Sequence, residues 1–292
     1  MMQDPPNSIK IELTQGCNLK CPFCPISTGI YKGFEFMSIE TAEVLSDGIK
    51  EAGWNSRIDY SMRGEPTLNP NWKKITKILR DNLERNSILM LTNGAGLMYG
   101  KGPVENIKDG FGSGLSVIGI ERYQNSKIWK RILNEIEGKF TVEFYPESGA
   151  EANPHRRYPW GENKVVFIED ISVATSGTHN TIANMAGAVG EKVKEPIKER
   201  CVRPFREFIV YHNGKVPICC LQWKEVLIMG NIRKESMVDI WNSDKFDEVR
   251  RRLYWEDRNF PPCDVCDSPG GYRKGLLPDR MGKRSMKRLG EE

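Results

Sequence analysis

No run of 18 apolar residues occurs in the 292-residue sequence, so no segment suits a bilayer-spanning helix. The opening MMQDPPNS lacks the cationic and apolar regions of a signal peptide. Histidine is scarce: His155, His179 and His212 stand at no paired spacing, so each reads as a surface or core residue rather than a ligand. An excess of one charge is also missing. Against 43 Lys and Arg stand 39 Asp and Glu, a net +4. That excess lies in residues 273–292, where Arg273, Lys274, Arg280, Lys283, Arg284, Lys287 and Arg288 face only Asp279, Glu291 and Glu292. A solvated, frayed terminus is the expectation there, and contact with nucleic acid or another polyanion the alternative. The remaining composition, 39% hydrophobic and 28% charged, is that of a soluble globular chain. It is long enough for one large domain, or for one plus a small appendage. A cytoplasmic location is the default, and no membrane partner is expected. In a reducing compartment the eight cysteines read as metal ligands rather than disulfides.

Three of them, Cys17, Cys21 and Cys24, stand in TQGCNLKCPFCP directly after a strand-like run at 9–13. Thiolates at this spacing suit iron–sulfur or zinc chemistry. A closed zinc site needs a fourth protein ligand, yet no further His or Cys follows until His155. The trio therefore leaves one coordination position open, as a reactive centre requires. Downstream, strand-like and helix-like segments alternate. Apolar periodicity predicts helices at 38–52, 72–83, 103–108 and 128–136, and strands at 57–61, 88–91, 115–120, 141–145 and 165–168. That alternation argues βα units around a parallel sheet.

Cys201, Cys219, Cys263 and Cys266 form a second constellation. Asn213-Gly214, between β-rich runs at 208–212 and 215–218, predicts a two-residue hairpin that returns the chain from Cys201 toward Cys219. A helical stretch at 236–253 then delivers the close pair CDVC. Four thiolates can close a metal shell, and zinc is the plainer occupant. Cys220 is left over, and a free cysteine is ordinarily a small buried hydrophobe.

With Phe23 just before the third cysteine, the C-x3-C-x2-C motif resembles that of radical S-adenosylmethionine (SAM) enzymes. In that family the three thiolates hold a 4Fe–4S cluster whose remaining iron is chelated by SAM. Met62 to Pro66, MRGEP, resembles the family's GGEP motif, which binds the cofactor's methionyl amino group. Gly64, Glu65 and Pro66 match it, while Arg63 replaces the first glycine and leaves the turn geometry open. Asn93 in LTNG and Ser116 resemble positions near the cofactor's polar groups. The implied fold is α/β: a partial (β/α)6 TIM-like barrel with its site at the C-terminal strand ends. C-x12-G-x4-C followed by CxxC, with GNI and DIWNS between, resembles the SPASM/twitch extension that houses auxiliary 4Fe–4S clusters. Three of eight cysteines serve the first site, and four of the remaining five suffice for one auxiliary cluster. The implied organisation is a barrel at 1–190, a twitch domain at 191–271 and a basic tail at 272–292.

The resemblance implies SAM and two 4Fe–4S clusters as cofactors, and a low-potential electron donor such as flavodoxin or ferredoxin. It implies reductive cleavage of SAM to a 5′-deoxyadenosyl radical that abstracts hydrogen from a substrate C–H bond. Twitch dehydrogenases of aminocyclitol biosynthesis show the nearest cysteine pattern, so oxidation of a small molecule with the auxiliary cluster as electron acceptor is expected. The alternatives are an epimerase or a modifier of a peptide, nucleotide or nucleic acid, for which Cys220 would be the hydrogen donor. A zinc-binding nucleic-acid interaction module is the reading from another class. Glu143, Glu147 and Arg156, on or just after a predicted strand, are candidates for the base of a dehydrogenase.

Overall fold

The computed structural model describes residues 2–122, 126–145, 158–168, 184–270 and 277–290. Its centre is a seven-stranded parallel sheet, built from β1 (Ser8–Ile11), β4 (Arg57–Tyr60), β5 (Ile88–Thr92), β6 (Val117–Glu121), β7 (Thr141–Tyr145), β8 (Lys164–Ile168) and β9 (Glu207–Val210). The order across the sheet is β7-β8-β6-β5-β4-β1-β9. Two short strands, β2 (Thr14–Gln15) and β3 (Glu35–Phe36), pair antiparallel as the stem of the cysteine loop. The expected βα alternation is thus present, with two departures.

The first departure is that β8 lies between β6 and β7, exchanging the last two positions of a sequential barrel. Burial gives the reason. Val165 to Ile168 are buried on both faces, whereas β7 is only partly covered along its length. The fully apolar strand takes the interior position and the half-wet one the edge. The second departure concerns Asn213-Gly214. The turn forms, with the Tyr211 amide donating to the Lys215 carbonyl, but no simple hairpin follows. β9 is buried at every position and adds to β1, while β10 (Lys215–Pro217) pairs with β11 (Ile228–Asn231). A two-stranded hairpin would leave one face of β9 in water; the main sheet covers both. The auxiliary segment therefore contributes a strand to the barrel sheet.

Helices cover one face. α1 (Ile39–Glu51) starts at Ser38, whose hydroxyl accepts from the Thr41 amide. Its stripe of Ala42, Leu45 and Ile49 is buried. α2 (Trp72–Asn82) and α3 (Pro103–Ser113) add Ile75, Leu79, Ile107 and Phe111, and α4 (Ser126–Ile136) adds Trp129 and Ile132. These pack on Ile9, Ile58, Met90, Ile118 and Phe167, alternate positions of the strands. The opposite face is apolar under β5, β6 and β8 (Leu89, Val117, Val166, Ile168) and charged under β1, β4 and β9, with Lys10, Asp59 and Glu207.

The C-terminal part continues as α5 (Arg203–Arg206), α6 (Met237–Trp241), α7 (Asp244–Tyr254) and α8 (Leu277–Arg288). α8 corrects the expectation of a frayed tail. Met286 is buried against Val202 and Phe205, the Ser285 hydroxyl donates to Gln3 Oε1 at 2.6 Å, and Arg288 pairs with Asp4 at 2.5 Å. Among the described residues no helix is long and apolar enough to cross a membrane.

Candidate active site

Where the strands end, a cavity of about 300 Å³ opens. Cys17, Cys21, Phe23 and Cys24 form one wall, and Ser61, Met62, Gly64 and Glu65 follow β4. Leu91, Thr92 and Asn93 come from the end of β5 and the turn after it, Glu121 from the last position of β6. Met185 and Trp223 close it from the C-terminal half. A cavity fed by successive strand ends is where α/β sheets bind ligands.

The cysteine loop and MRGEP lock together through backbone. The Glu65 amide donates to the Gly16 carbonyl at 3.0 Å. Gly64 has φ +90, and a Cβ there would lie 2.2 Å from the Thr14 carbonyl oxygen and 2.4 Å from that of Gly16. Only glycine fits. Gly64, not Arg63, takes the left-handed conformation, so the substitution of the first motif glycine leaves the turn undisturbed. Glu65 is buried, and its carboxylate accepts from the Thr67 amide (3.0 Å), the Thr67 and Thr92 hydroxyls (both 2.5 Å) and the Asn93 amide (2.8 Å). Burial pushes its pKa up, against those hydrogen bonds. It is a brace between two loops. Asn93 turns its amide toward Cys17 Sγ (3.6 Å) and Asn18 Oδ1 (3.0 Å).

Two expected ligand-binding residues lie elsewhere. Pro66 is buried at the start of the 3-10 turn Pro66–Leu68 and stiffens it rather than lining the cavity. Ser116 precedes β6, at the opposite end of the sheet, where its hydroxyl accepts from the Ile88 amide at 3.3 Å. Period-two alternation identifies a strand's face, not which end a flanking residue occupies.

Burial drives the Cys17 pKa up to about 12 and raises that of Cys24, and no cation among the named influences opposes it. The thiolates that ligation needs would lack compensation from the protein alone. An iron–sulfur cluster supplies the missing positive charge, so the donor set fits one. Among the described residues no three Cys, His, Asp or Glu side chains converge as a single metal ion requires.

Cys201, Cys219, Cys263 and Cys266 are gathered in the C-terminal part, Cys219 and Cys266 in one apolar cluster with Met185. Arg258 staples them: it donates to the carbonyls of Glu199 (2.9 Å), Arg200 (3.3 Å) and Ser268 (2.7 Å), tying the chain before Cys201 to the chain after Cys266. Burial raises all four pKa values. Cys219 also feels Cys263 and Cys201, and Cys263 feels Cys201 and Cys266. Cys220 packs beside Cys219 against Ala186, Leu221 and Cys266, with Arg203 Nη1 at 3.3 Å and Glu207 and Lys10 as charged neighbours. It is not among the described residues that line the cavity. Cys219 feels Cys201 and Cys263, which are not among the influences on Cys220.

Of the candidate bases, Glu143 is committed to the Tyr158 hydroxyl (2.9 Å) and Lys164 (2.8 Å) away from the cavity. Glu147 and Arg156 lie outside the described residues, as do His155 and His179. His212 is a core residue, as expected. Glu121, Met185 and Trp223 were not anticipated. The end of a predicted strand was a pointer to Glu121; the other two arrive only through tertiary packing.

Residues 11–132 match the radical SAM superfamily, and residues 201–267 match SPASM, an iron–sulfur cluster-binding domain. The chain therefore carries a radical SAM domain and a SPASM domain, which together imply SAM and 4Fe–4S clusters as cofactors, one cluster in the SPASM part. Among particular proteins it is similar to the S-adenosyl-L-methionine-dependent 2-deoxy-scyllo-inosamine dehydrogenase of Niallia circulans, at 23% identity over 248 residues, 84% of this chain and 86% of that one. Its fold matches the crystal structure of BtrN in complex with AdoMet and 2-DOIA (TM-score 0.71, 20% identity, 91% of this chain and 95% of that one). It matches native anSMEcpe with bound AdoMet less closely (TM-score 0.53, 13% identity, 97% of each chain).

Proposed function

We propose that the protein oxidises a secondary alcohol of a small polar molecule, of the aminocyclitol type, to the ketone. One observation carries this reading: the cavity lined by the three-cysteine loop is also lined by Trp223 of the SPASM segment, the segment in which four further thiols influence one another. In this proposal Cys17, Cys21 and Cys24 hold the SAM-binding cluster, and Cys201, Cys219, Cys263 and Cys266 the auxiliary one. When bound, these groups supply a 5′-deoxyadenosyl radical that takes one hydrogen atom from the carbinol carbon, and an acceptor for the one electron that must also leave. The remaining proton goes to the protein, and we assign it to Glu121, which brings a carboxylate to the cavity wall. Phe23, Leu91, Met185 and Trp223 exclude water around the reacting carbon.

The 2-deoxy-scyllo-inosamine dehydrogenase resemblance favours an amino-polyol. Cys220 beside Arg203, and not among the described residues of the cavity wall, favours oxidation over epimerisation. The zinc-module reading is not favoured, because the superfamily match implies a cluster. A flavodoxin or ferredoxin would approach the exposed outer side of the cysteine loop, at Asn18, Lys20 and Pro22. The thiols suit a reducing, cytoplasmic compartment.

The test is anaerobic incubation of the iron-loaded protein with reductant, SAM and 2-deoxy-scyllo-inosamine carrying deuterium at its carbinol positions. Ketone formation with deuterium in 5′-deoxyadenosine is expected. 5′-Deoxyadenosine without deuterium or ketone would exclude this substrate.

A further inference from the structure

The arginine that replaces the first motif glycine has a fully buried side chain, yet its backbone neighbours Met62 and Gly64 line the cavity. The guanidinium lies between two aromatic rings, its Cζ 3.5 Å from the Tyr211 centroid and 5.0 Å from that of Tyr31. Nε and Nη2 bind the Glu12 carboxylate at the end of β1, the latter at 3.0 Å, and Nη2 reaches Glu225 at 3.3 Å. Nη1 donates to the Tyr31 hydroxyl oxygen and, at 3.2 Å, to the Trp223 carbonyl. The two tyrosines extend the grip: Tyr31 donates to the Trp223 carbonyl and Tyr211 to that of Gln222. The Tyr31 and Trp223 rings also stack, with centroids 6.0 Å apart and planes at 23°.

One cation thus ties four separate pieces of chain: the end of β1, the turn after β4, the cysteine loop through Tyr31, and the auxiliary segment through Tyr211 and Trp223. Glycine at position 63 could make none of these bonds. Buried guanidinium pairs of this kind are costly unless every donor has a partner, and they fix one arrangement rather than add much stability. What they fix here is the backbone of Trp223, whose side chain forms the wall opposite the cysteines.

We propose that Arg63 is a positioning residue that acts through Tyr31 and the Trp223 carbonyl, and that Trp223 is the wall that determines what the cavity accepts beside the cysteine loop. Trp223 lines the same cavity as Cys17, Cys21 and Cys24, so displacing it alters the binding of SAM beside them. The inference needs only the superfamily assignment; it rests on the proposed alcohol oxidation solely for the second ligand's identity.

The test uses the iron-loaded enzyme with SAM alone, by calorimetry, and with reductant and no organic substrate, by 5′-deoxyadenosine yield. We expect W223A to weaken SAM affinity and to change substrate-free cleavage by about threefold or more, with W223F restoring most of it. Y31F, which leaves the Arg63–Glu12 pair intact and folds whether or not R63K does, shifts both quantities in the same direction with unchanged iron content. In Y31F/W223A the loss is that of W223A alone, because residues acting through one contact are not additive. Because Arg63 also donates directly to the Trp223 carbonyl, Y31F and R63K both matching wild type while W223A is altered would remove Arg63's positioning role, and W223A matching wild type would overturn the proposal. Wild-type turnover of 2-deoxy-scyllo-inosamine reports separately on the proposed reaction, so the two readings fail independently.

Discussion

Gly64 makes the strictest demand of any residue in the site, since both its φ and the carbonyls of Thr14 and Gly16 forbid a side chain. Gly64→Ala is expected to cost about 3 kcal/mol or more, from backbone strain plus the clash, and to release iron from the cysteine loop. Gly53→Ala, at φ +64 with open space around it, is the control and should cost only about 1 kcal/mol. Urea unfolding of both variants, with iron assays, checks this. The paired cysteines give a second contrast. Cys219→Ser should lose about four irons and the spectrum of one cluster, whereas Cys220→Ser retains its full complement. Equal losses would reassign the ligand. At this scale the three loop cysteines, Phe23, Gly64 and Asn93 were legible, because ligand spacing and strand-end position are local properties. Trp223 and Met185 were not, because they reach the cavity from segments distant in sequence.

Among the elements, α1 to α4 were legible from apolar periodicity and the cap at Ser38, although strand order was not. Alternation cannot tell β7 from β8 as the edge; the degree of burial does, and that emerges only once partners exist. The same holds for β9, which read as half of a hairpin and is a strand of the main sheet. α6 anchors the auxiliary segment to that sheet through Trp241. Its ring meets Trp54, Phe208 and Phe246, with the Phe246 centroid at 5.2 Å, and its indole donates to the Asp4 carbonyl at 2.9 Å. Trp241→Ala should destabilise the chain by about 3–5 kcal/mol in denaturant titrations. Deleting residues 277–292 removes Met286 and the Arg288–Asp4 pair and should cost about 1–3 kcal/mol. Because α8 spends cations on Asp4, that deletion should leave the salt dependence of polyanion binding unchanged.

Across the whole molecule, the first strand, the stem of the cysteine loop and the auxiliary segment meet at one buried charge network. His212 sits at its edge: Nδ1 is 2.7 Å from Glu12 Oε1 and Nε2 is 2.8 Å from Glu35 Oε2, while Arg63 shares Glu12 from the other side. Burial lowers its pKa, but the hydrogen bonds and charges of Glu12 and Glu35 outweigh that, and the net direction is upward. A raised folded pKa means the imidazolium favours the folded state. That contribution is fully present below the unfolded value of about 6.5 and is lost as pH rises through the folded value. The protein should therefore lose stability on moving from about pH 6 to pH 9 by more than His212→Gln does, since glutamine retains hydrogen bonding without the charge. Urea midpoints of the two proteins across that range decide the matter. Parallel curves would mean that folding does not raise the His212 pKa and that the Glu12 charge is met by Arg63 alone. Converging curves would show that both cations hold the carboxylate on which the cysteine loop, the first strand and the SPASM segment are assembled.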